Sequence, residues 1–114
     1  MIVNDGKNDL AALVLAKYTR IKVGDGSDTT SASQEDLDNP VFTKSSGVTV
    51  TRVNNVLTWN FTILGSDLPA GGATELGIFS NDSDDIMLTR VTFKTTGPIA
   101  ASDSVTFTVK LEVA

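Results

Sequence analysis

Hydrophobic and polar residues alternate in a series of short runs along most of this chain, as they do in β-strands with one buried face. Turn-forming residues separate the runs at roughly the spacing found in β-sandwiches and β-barrels. Threonine is frequent within the runs, and its branched side chain suits an exposed strand face. The pattern predicts six or seven strands within about residues 18–113, at 18–23, 41–44, 47–53, 56–64, 74–80, 86–94 and 103–113.

The run over residues 56–64 shows most clearly which face of the predicted sheet is buried. Successive side chains on a strand point to opposite faces, so every second residue shares a face. Asn54 and Asn55 separate this run from the preceding one, and Asn tolerates the positive φ of a two-residue hairpin turn. We therefore expect a hairpin here, and the residues expected to face the core are Leu57, Trp59, Phe61 and Ile63.

The N-terminal segment follows a different period and predicts one short helix over about residues 5–17. Leu10, Leu13 and Val14 are spaced as on one face of a helix, and Lys17 at the end suits the helix dipole. So short a helix is marginally stable alone and must pack on something. Two interpretations remain open: the helix covers one end of the β-domain, or it docks on a neighbouring subunit.

No helical pattern lies between the strands, so parallel strands joined by helices are not expected. The 114 residues fit one domain. The predicted fold is therefore mainly β, a single antiparallel β-sandwich of six to seven strands over residues 1–114, with one short N-terminal α-helix.

Composition narrows the possible functions. The chain has no His and no Cys, which removes the commonest general base and the commonest metal ligand and excludes Ser–His–Asp and Cys–His catalysis. Its net charge is −5, whereas a protein that binds nucleic acid usually has a basic surface. There is no run of apolar residues long enough to span a membrane and no signal-peptide pattern. We expect no enzymatic activity, no cofactor and no nucleic-acid or membrane partner.

Two polar segments have candidate sites. Residues 24–39 form a predicted long loop with a possible helical turn near 33–37, and residues 65–73 form a second loop that includes Pro69. Acidic residues cluster in the first of these loops and in a predicted turn at residues 81–85. The preferred interpretation of the clusters is an exposed turn, and the alternative is a calcium site, because calcium takes oxygen ligands. The calcium candidates are Asp25, Asp28, Asp82, Asp84 and Asp85.

Glu75 and Arg90 are expected to face each other across the hairpin formed by the fifth and sixth predicted strands. One interpretation is an ordinary cross-strand pair on the surface, which contributes little to stability. The other is a fixed charge pair at an assembly surface. The surface pair is the preferred interpretation.

Four segments, in this order, resemble small structural proteins of tailed viruses, of the tail-fibre, tail-collar or capsid-decoration type. The segments are an opening Asn-Asp-Gly at residues 4–6 before the helix, Val-Gly-Asp-Gly at 23–26 before a Ser/Thr/Ala-rich loop, the Glu-Leu-Gly-Ile-Phe strand at 75–79 with its return strand at 87–93, and the last strand after Ala-Ser-Asp-Ser at 101–104. The resemblance implies a β-sandwich that forms homo-oligomers and contacts other virion proteins. It also implies synthesis in the cytoplasm of the host cell, which agrees with the missing signal-peptide pattern.

The resemblance implies a structural role in the virion as a capsid decoration or turret, neck, tail-fibre or baseplate component. The alternative is a module that binds carbohydrate or a receptor on the host surface. Carbohydrate sites usually display exposed aromatic rings, whereas Trp59 is expected to point inward. We expect assembly contacts from loops and strand edges, and the interface candidates are Leu10, Leu13, Val14, Asp25, Ser27, Leu37, Pro69, Glu75 and Arg90.

Overall fold

The computed structural model of the chain describes all residues, 1–114. It contains one α-helix, seven β-strands and a short 3-10 turn at Gly65–Asp67. The elements in chain order are α1 (Asn4–Lys17), β1 (Arg20–Gly24), β2 (Pro40–Lys44), β3 (Thr49–Val53), β4 (Val56–Leu64), β5 (Glu75–Phe79), β6 (Met87–Thr92) and β7 (Ser104–Glu112).

The strands form two antiparallel sheets, one of four strands in the order β2-β1-β5-β6 and one of three in the order β3-β4-β7. The predicted fold class is confirmed: the chain is mainly β and sandwich-like, with one N-terminal helix. The predicted hairpin between β3 and β4 is also confirmed, and Asn54 has the positive φ of 55° that such a turn requires.

The core lies between the two sheets and includes the predicted face of β4. Along that strand buried residues alternate with more exposed ones, as a strand with one buried face requires. The indole Nε1 of Trp59 donates a hydrogen bond of 2.8 Å to the carbonyl oxygen of Tyr18, so the bulkiest core side chain is also satisfied as a donor. The four core residues predicted on β4, Leu57, Trp59, Phe61 and Ile63, are all buried.

Helix α1 packs against β3 and β4, but only part of its apolar face is buried. Ala11 is fully buried and Val14 is half-buried, whereas Leu10 and Leu13 are 42% and 60% exposed. Asn81 satisfies the C-terminal end of the helix, because its backbone N–H donates to Lys17 and its side chain to Ala16. At 14 residues α1 is too short to cross a membrane, and it is the only α-helix.

Two local predictions need correction. β1 begins at Arg20 rather than Tyr18, because the carbonyl of Tyr18 bonds to Trp59 before the strand starts. The segment 33–37 does not form a helical turn and instead follows a tight turn at Ala32 and Ser33. Its polar groups are satisfied by side chains, as with the Gln34 amide that donates to the carbonyl of Asp36.

The alternation along β4 generates a matched test on two adjacent residues. Ile63 is 1% exposed and Leu64 is 53% exposed. We expect Ile63→Ala to lower the free energy of unfolding by about 2–5 kcal/mol, because it leaves a cavity in the core. Leu64→Ala serves as the control and is expected to change it by less than about 1 kcal/mol. Urea denaturation followed by circular dichroism measures both, and equal losses would contradict this arrangement of the core.

Candidate functional site

The outer face of β5, in the four-stranded sheet, is covered by the first of the two predicted long loops. All five residues of β5 are buried, including Glu75, Gly77 and Phe79, which point away from the core between the sheets. The cover is the segment of residues 25–39, called here the covering loop. Its one large apolar residue, Leu37, is 5% exposed. A Cβ added to Gly77 would lie 2.9 Å from the Cδ2 atom of Leu37, so the loop and β5 are in close contact there.

The Glu75 carboxylate is the centre of this covered face. Its Oε1 accepts hydrogen bonds from Nε of Arg90 and from the backbone N–H of Asp38, both at 2.9 Å. Its Oε2 accepts the backbone N–H groups of Gly26 and Asn39, at 2.7 and 2.8 Å. One carboxylate thus joins both ends of the covering loop to the sheet.

Arg90 holds the middle of the same loop. Its Nη1 donates hydrogen bonds of 2.8 Å to the carbonyl of Asp28 and to Oγ1 of Thr30. The side chains of Arg90 and Glu75 are both 0% exposed, and only Nη2 of Arg90 has no partner. A buried charge needs such partners, because removal from water is costly without them.

The backbone approaches Glu75 so closely that glycine is required at residue 26. A Cβ on Gly26 would lie 2.3 Å from Cβ of Asp38 and 2.5 Å from Oε2 of Glu75. Thr74 fixes the same turn, since its Oγ1 donates a 2.7 Å hydrogen bond to the carbonyl of Gly26. The Gly-Asp-Gly segment therefore folds around an internal carboxylate.

Burial by itself would raise the pKa of Glu75, but the hydrogen bonds outweigh it. The N–H of Asn39, the Arg90 guanidinium and the N–H groups of Asp38 and Gly26 all stabilise the charged form. The net effect is a pKa below the ordinary glutamate value of 4.5. The site therefore contains a permanently charged carboxylate at neutral pH.

The prediction that Glu75 and Arg90 form a surface pair is wrong. The two residues do contact each other across the β5–β6 hairpin, but the covering loop buries the pair. Leu37 and Pro69 are also buried within the chain. These four interface candidates need correction, because their side chains are engaged internally and are not available at the surface.

The remaining interface candidates stay predictions. Asp25, Ser27, Leu10 and Leu13 are exposed, and Val14 is half-buried against the core.

Asp38 is a structural residue that the sequence analysis missed. Its Oδ2 accepts the backbone N–H groups of Ser27 and Asp28 at 3.1 and 3.4 Å. The Asp28 N–H is the main cause of a pKa below the ordinary aspartate value at Asp38. Asn39 similarly donates its side-chain amide to Asp25. The two ends of the covering loop are thus held together by short polar side chains.

The acidic turn at residues 81–85 forms charge pairs with cations of α1 and β1. Asp85 contacts Lys22 at 2.7 Å and Arg20 at 3.2 Å, and the hydrogen bond from Lys22 is the largest cause of its lowered pKa. Asp82 accepts the Ser80 hydroxyl, the main cause of its own lowered pKa, and lies 3.7 Å from Lys17. The turn therefore joins the strand hairpin to the helix end.

The calcium candidates do not converge on a common point. Asp82 and Asp85 are directed at cationic side chains, and Asp25 bonds to Asn39. No three acidic side chains are grouped so that they could hold a metal ion. Exposed Asp84 lines an open groove of about 340 Å³, together with Gln34, Glu35, Asp85, Ile86 and Met87.

Comparisons with protein-family models, with characterised proteins and with solved structures found no match to this chain.

The buried pair generates a stability prediction. We expect Glu75→Gln to lower the free energy of unfolding by about 3–5 kcal/mol, because it leaves the Arg90 charge buried without its counter-ion. The matched control is Glu35→Gln, an exposed residue of the covering loop, for which a change within about 0.5 kcal/mol is expected. Urea denaturation measures both. Equal stability of the two variants would show that the pair does not hold the structure.

The lowered pKa of Glu75 predicts a direction for pH dependence. Because the folded state binds the proton more weakly than the unfolded state, this stabilisation is fully present above the ordinary value of 4.5 and is lost as pH falls below it. Asp38, Asp82 and Asp85 contribute in the same direction. We expect a smaller loss of stability between pH 7 and pH 3 in Glu75→Gln than in wild type. The same loss in both, measured by urea denaturation, would contradict this role.

Proposed function

We propose that this chain is a non-enzymatic structural protein of a virus particle, in which it contacts copies of itself and other particle proteins. The proposed positions are a capsid decoration or turret, a neck, or a tail-fibre or baseplate component. In this proposal the chain is made in the host cytoplasm and becomes part of the virion. The proposal is motivated by the resemblance of four sequence segments, and of their order along the chain, to small structural proteins of tailed viruses.

The single observation that supports an assembly role best is the fixed covering loop. Its backbone is tied to Glu75, while the side chains of Asp25 and Ser27 remain exposed. A loop that is ordered before binding loses less conformational entropy when it contacts a partner. Such a surface suits an assembly in which the same contact is repeated many times, so that individually weak contacts are sufficient.

The use of the ionisable groups also favours a structural role. The carboxylates of Glu75, Asp82 and Asp85 each bind a cationic side chain of the same chain. Their pKa values lie below the ordinary range, which keeps them charged at neutral pH instead of poised to exchange a proton. These groups hold elements together, as expected of a protein that serves as a building unit.

The alternative, a carbohydrate- or receptor-binding module for the host surface, has less support. Trp59 is buried and its N–H is bonded to Tyr18. None of the large hydrophobic residues that are exposed is aromatic, so none of them offers a flat ring for a sugar to stack on.

Two measurements test the proposal, one on virus particles and one on the pure protein. In particles purified from a culture that produces the encoding virus, we expect mass spectrometry to detect many copies of the chain per particle. Sedimentation velocity of the pure protein is expected to show a concentration-dependent oligomer. A chain that is absent from particles, and that stays monomeric and binds glycans on an array, would favour the host-surface alternative and contradict the proposal.

A further inference from the structure

The longest strand edge of the molecule is unoccupied. β7 has nine residues and lies at the edge of the three-stranded sheet, where it pairs only with β4. The β4–β7 register runs from Val56–Glu112 to Leu64–Ser104 without a shift. An edge of this kind presents a regular row of backbone donors and acceptors to any strand that can pair with it.

The ends of the ladder show which backbone groups are free. The N–H of Gly65 donates to the carbonyl of Asp103 at 2.7 Å, and the N–H of Val113 donates to Asn55 at 2.9 Å. In an antiparallel ladder every second residue bonds to the same neighbour, so the odd-numbered residues of β7 bond to β4. The residues whose backbone groups point to the free edge are Ser104, Thr106, Thr108, Lys110 and Glu112.

The other three edges have features that hinder pairing, and β7 has none of them. β2 begins at Pro40, has only five residues and is irregular against β1. The pairing of β6 with β5 is also irregular, because its register shifts between Ile78 and Phe79. β3 has five residues and is contacted by α1. Proline, bulges, shortness, covering elements and edge lysines are the usual protections of an edge, and of these β7 has only Lys110.

The inward side of β7 is also incompletely buried. Each of its apolar residues is only half-buried, although all of them pack against the core. No charged residue points inward among them, so a strand added at this edge would extend the apolar layer without burying a charge. This row consists of Val105, Phe107, Val109, Leu111 and, just beyond the strand, Val113.

We propose that β7 pairs with β7 of a second copy of this chain, antiparallel and across a two-fold axis that passes midway between the two copies of Thr108. The two three-stranded sheets then form one continuous sheet. This register is the one centred on the strand, and it overlaps all nine residues. Thr108 lies opposite Thr108 of the second copy, and the two residues exchange both of their backbone hydrogen bonds.

The cross-strand side-chain pairs of this register favour a second copy as the occupant. In this register Lys110 lies opposite Thr106 and Glu112 lies opposite Ser104, so no like charges face each other. Phe107 lies opposite Val109, an aromatic and β-branched pair of the kind that stabilises sheets. The inference rests on the proposed function for its biological purpose, because it names the contact through which copies would assemble.

The absence of cysteine from the chain makes a cross-linking test direct. Opposed residues of a hydrogen-bonded pair have Cα atoms about 5.5 Å apart, which is within the range of a disulfide. We expect Thr108→Cys to form a covalent dimer almost completely under mild oxidation. The control is Thr51→Cys, an exposed threonine in the middle of β3 on the opposite edge of the same sheet, which is expected to remain monomeric.

The register has its own controls. Thr106→Cys alone is expected to cross-link poorly, whereas a mixture of Thr106→Cys and Lys110→Cys is expected to give the mixed dimer. Thr108→Pro removes an N–H that has no partner within the chain, and proline is tolerated at an edge position that faces solvent. We therefore expect this variant to keep the circular-dichroism spectrum of the wild type and to lose the dimer in sedimentation velocity.

The outcomes separate this inference from the proposed function. If the wild type is oligomeric but Thr108→Cys cross-links no faster than Thr51→Cys, the β7 contact is wrong and an assembly role is unaffected. If Thr108→Cys cross-links only to another particle protein, the second copy is the wrong occupant. If the β7 dimer forms but the chain is absent from virus particles, the inference holds and the proposed function fails.

Discussion

The buried contact between Glu75 and Arg90 is the interaction on which the ordered state of the covering loop depends. Two charges removed from water stabilise a fold only when nearly all of their hydrogen-bonding capacity is used. Here the carboxylate accepts three backbone N–H groups and the guanidinium, and Arg90 in turn binds Asp28 and Thr30. The covering loop has fifteen residues and only one buried apolar side chain, Leu37. Hydrophobic burial alone therefore offsets little of the conformational entropy that the loop loses when it becomes ordered.

The outer faces of the two sheets have different properties, because only one of them has the covering loop. On the four-stranded sheet, the covering loop lies over the outer face of β5, where Phe79 is buried and Nζ of Lys22 lies 4.2 Å from the centre of its ring. On the three-stranded sheet, the outer face keeps exposed threonines such as Thr106 and Thr108, and the β7 edge is free. A chain that satisfies its charges internally on one side and leaves backbone groups open on the other is suited to pair by strand edges.

Much of the fold could be predicted from the sequence, because local patterns determine it. Alternation located β4 and its core face, and Asn54 located the hairpin turn. The burial of the Glu75–Arg90 pair could not be predicted in this way, because the loop that covers it is distant in sequence: Gly26, which bonds to Glu75, is 49 positions away. Charged residues are normally exposed, so a polar position in a strand is assigned to the surface by default. One signal was available: Phe79 shares the face of Glu75, and a large apolar residue on that face indicated a cover.

Amide hydrogen exchange at Gly26, Asp38 and Asn39 tests the central claim most directly. These three N–H groups bond to the Glu75 carboxylate and to no element of the sheet ladders. If the buried carboxylate orders the covering loop, the three amides exchange as slowly as those of β5 in wild-type protein at neutral pH. Exchange at the rate of an unfolded loop, while β5 remains protected, would contradict the account.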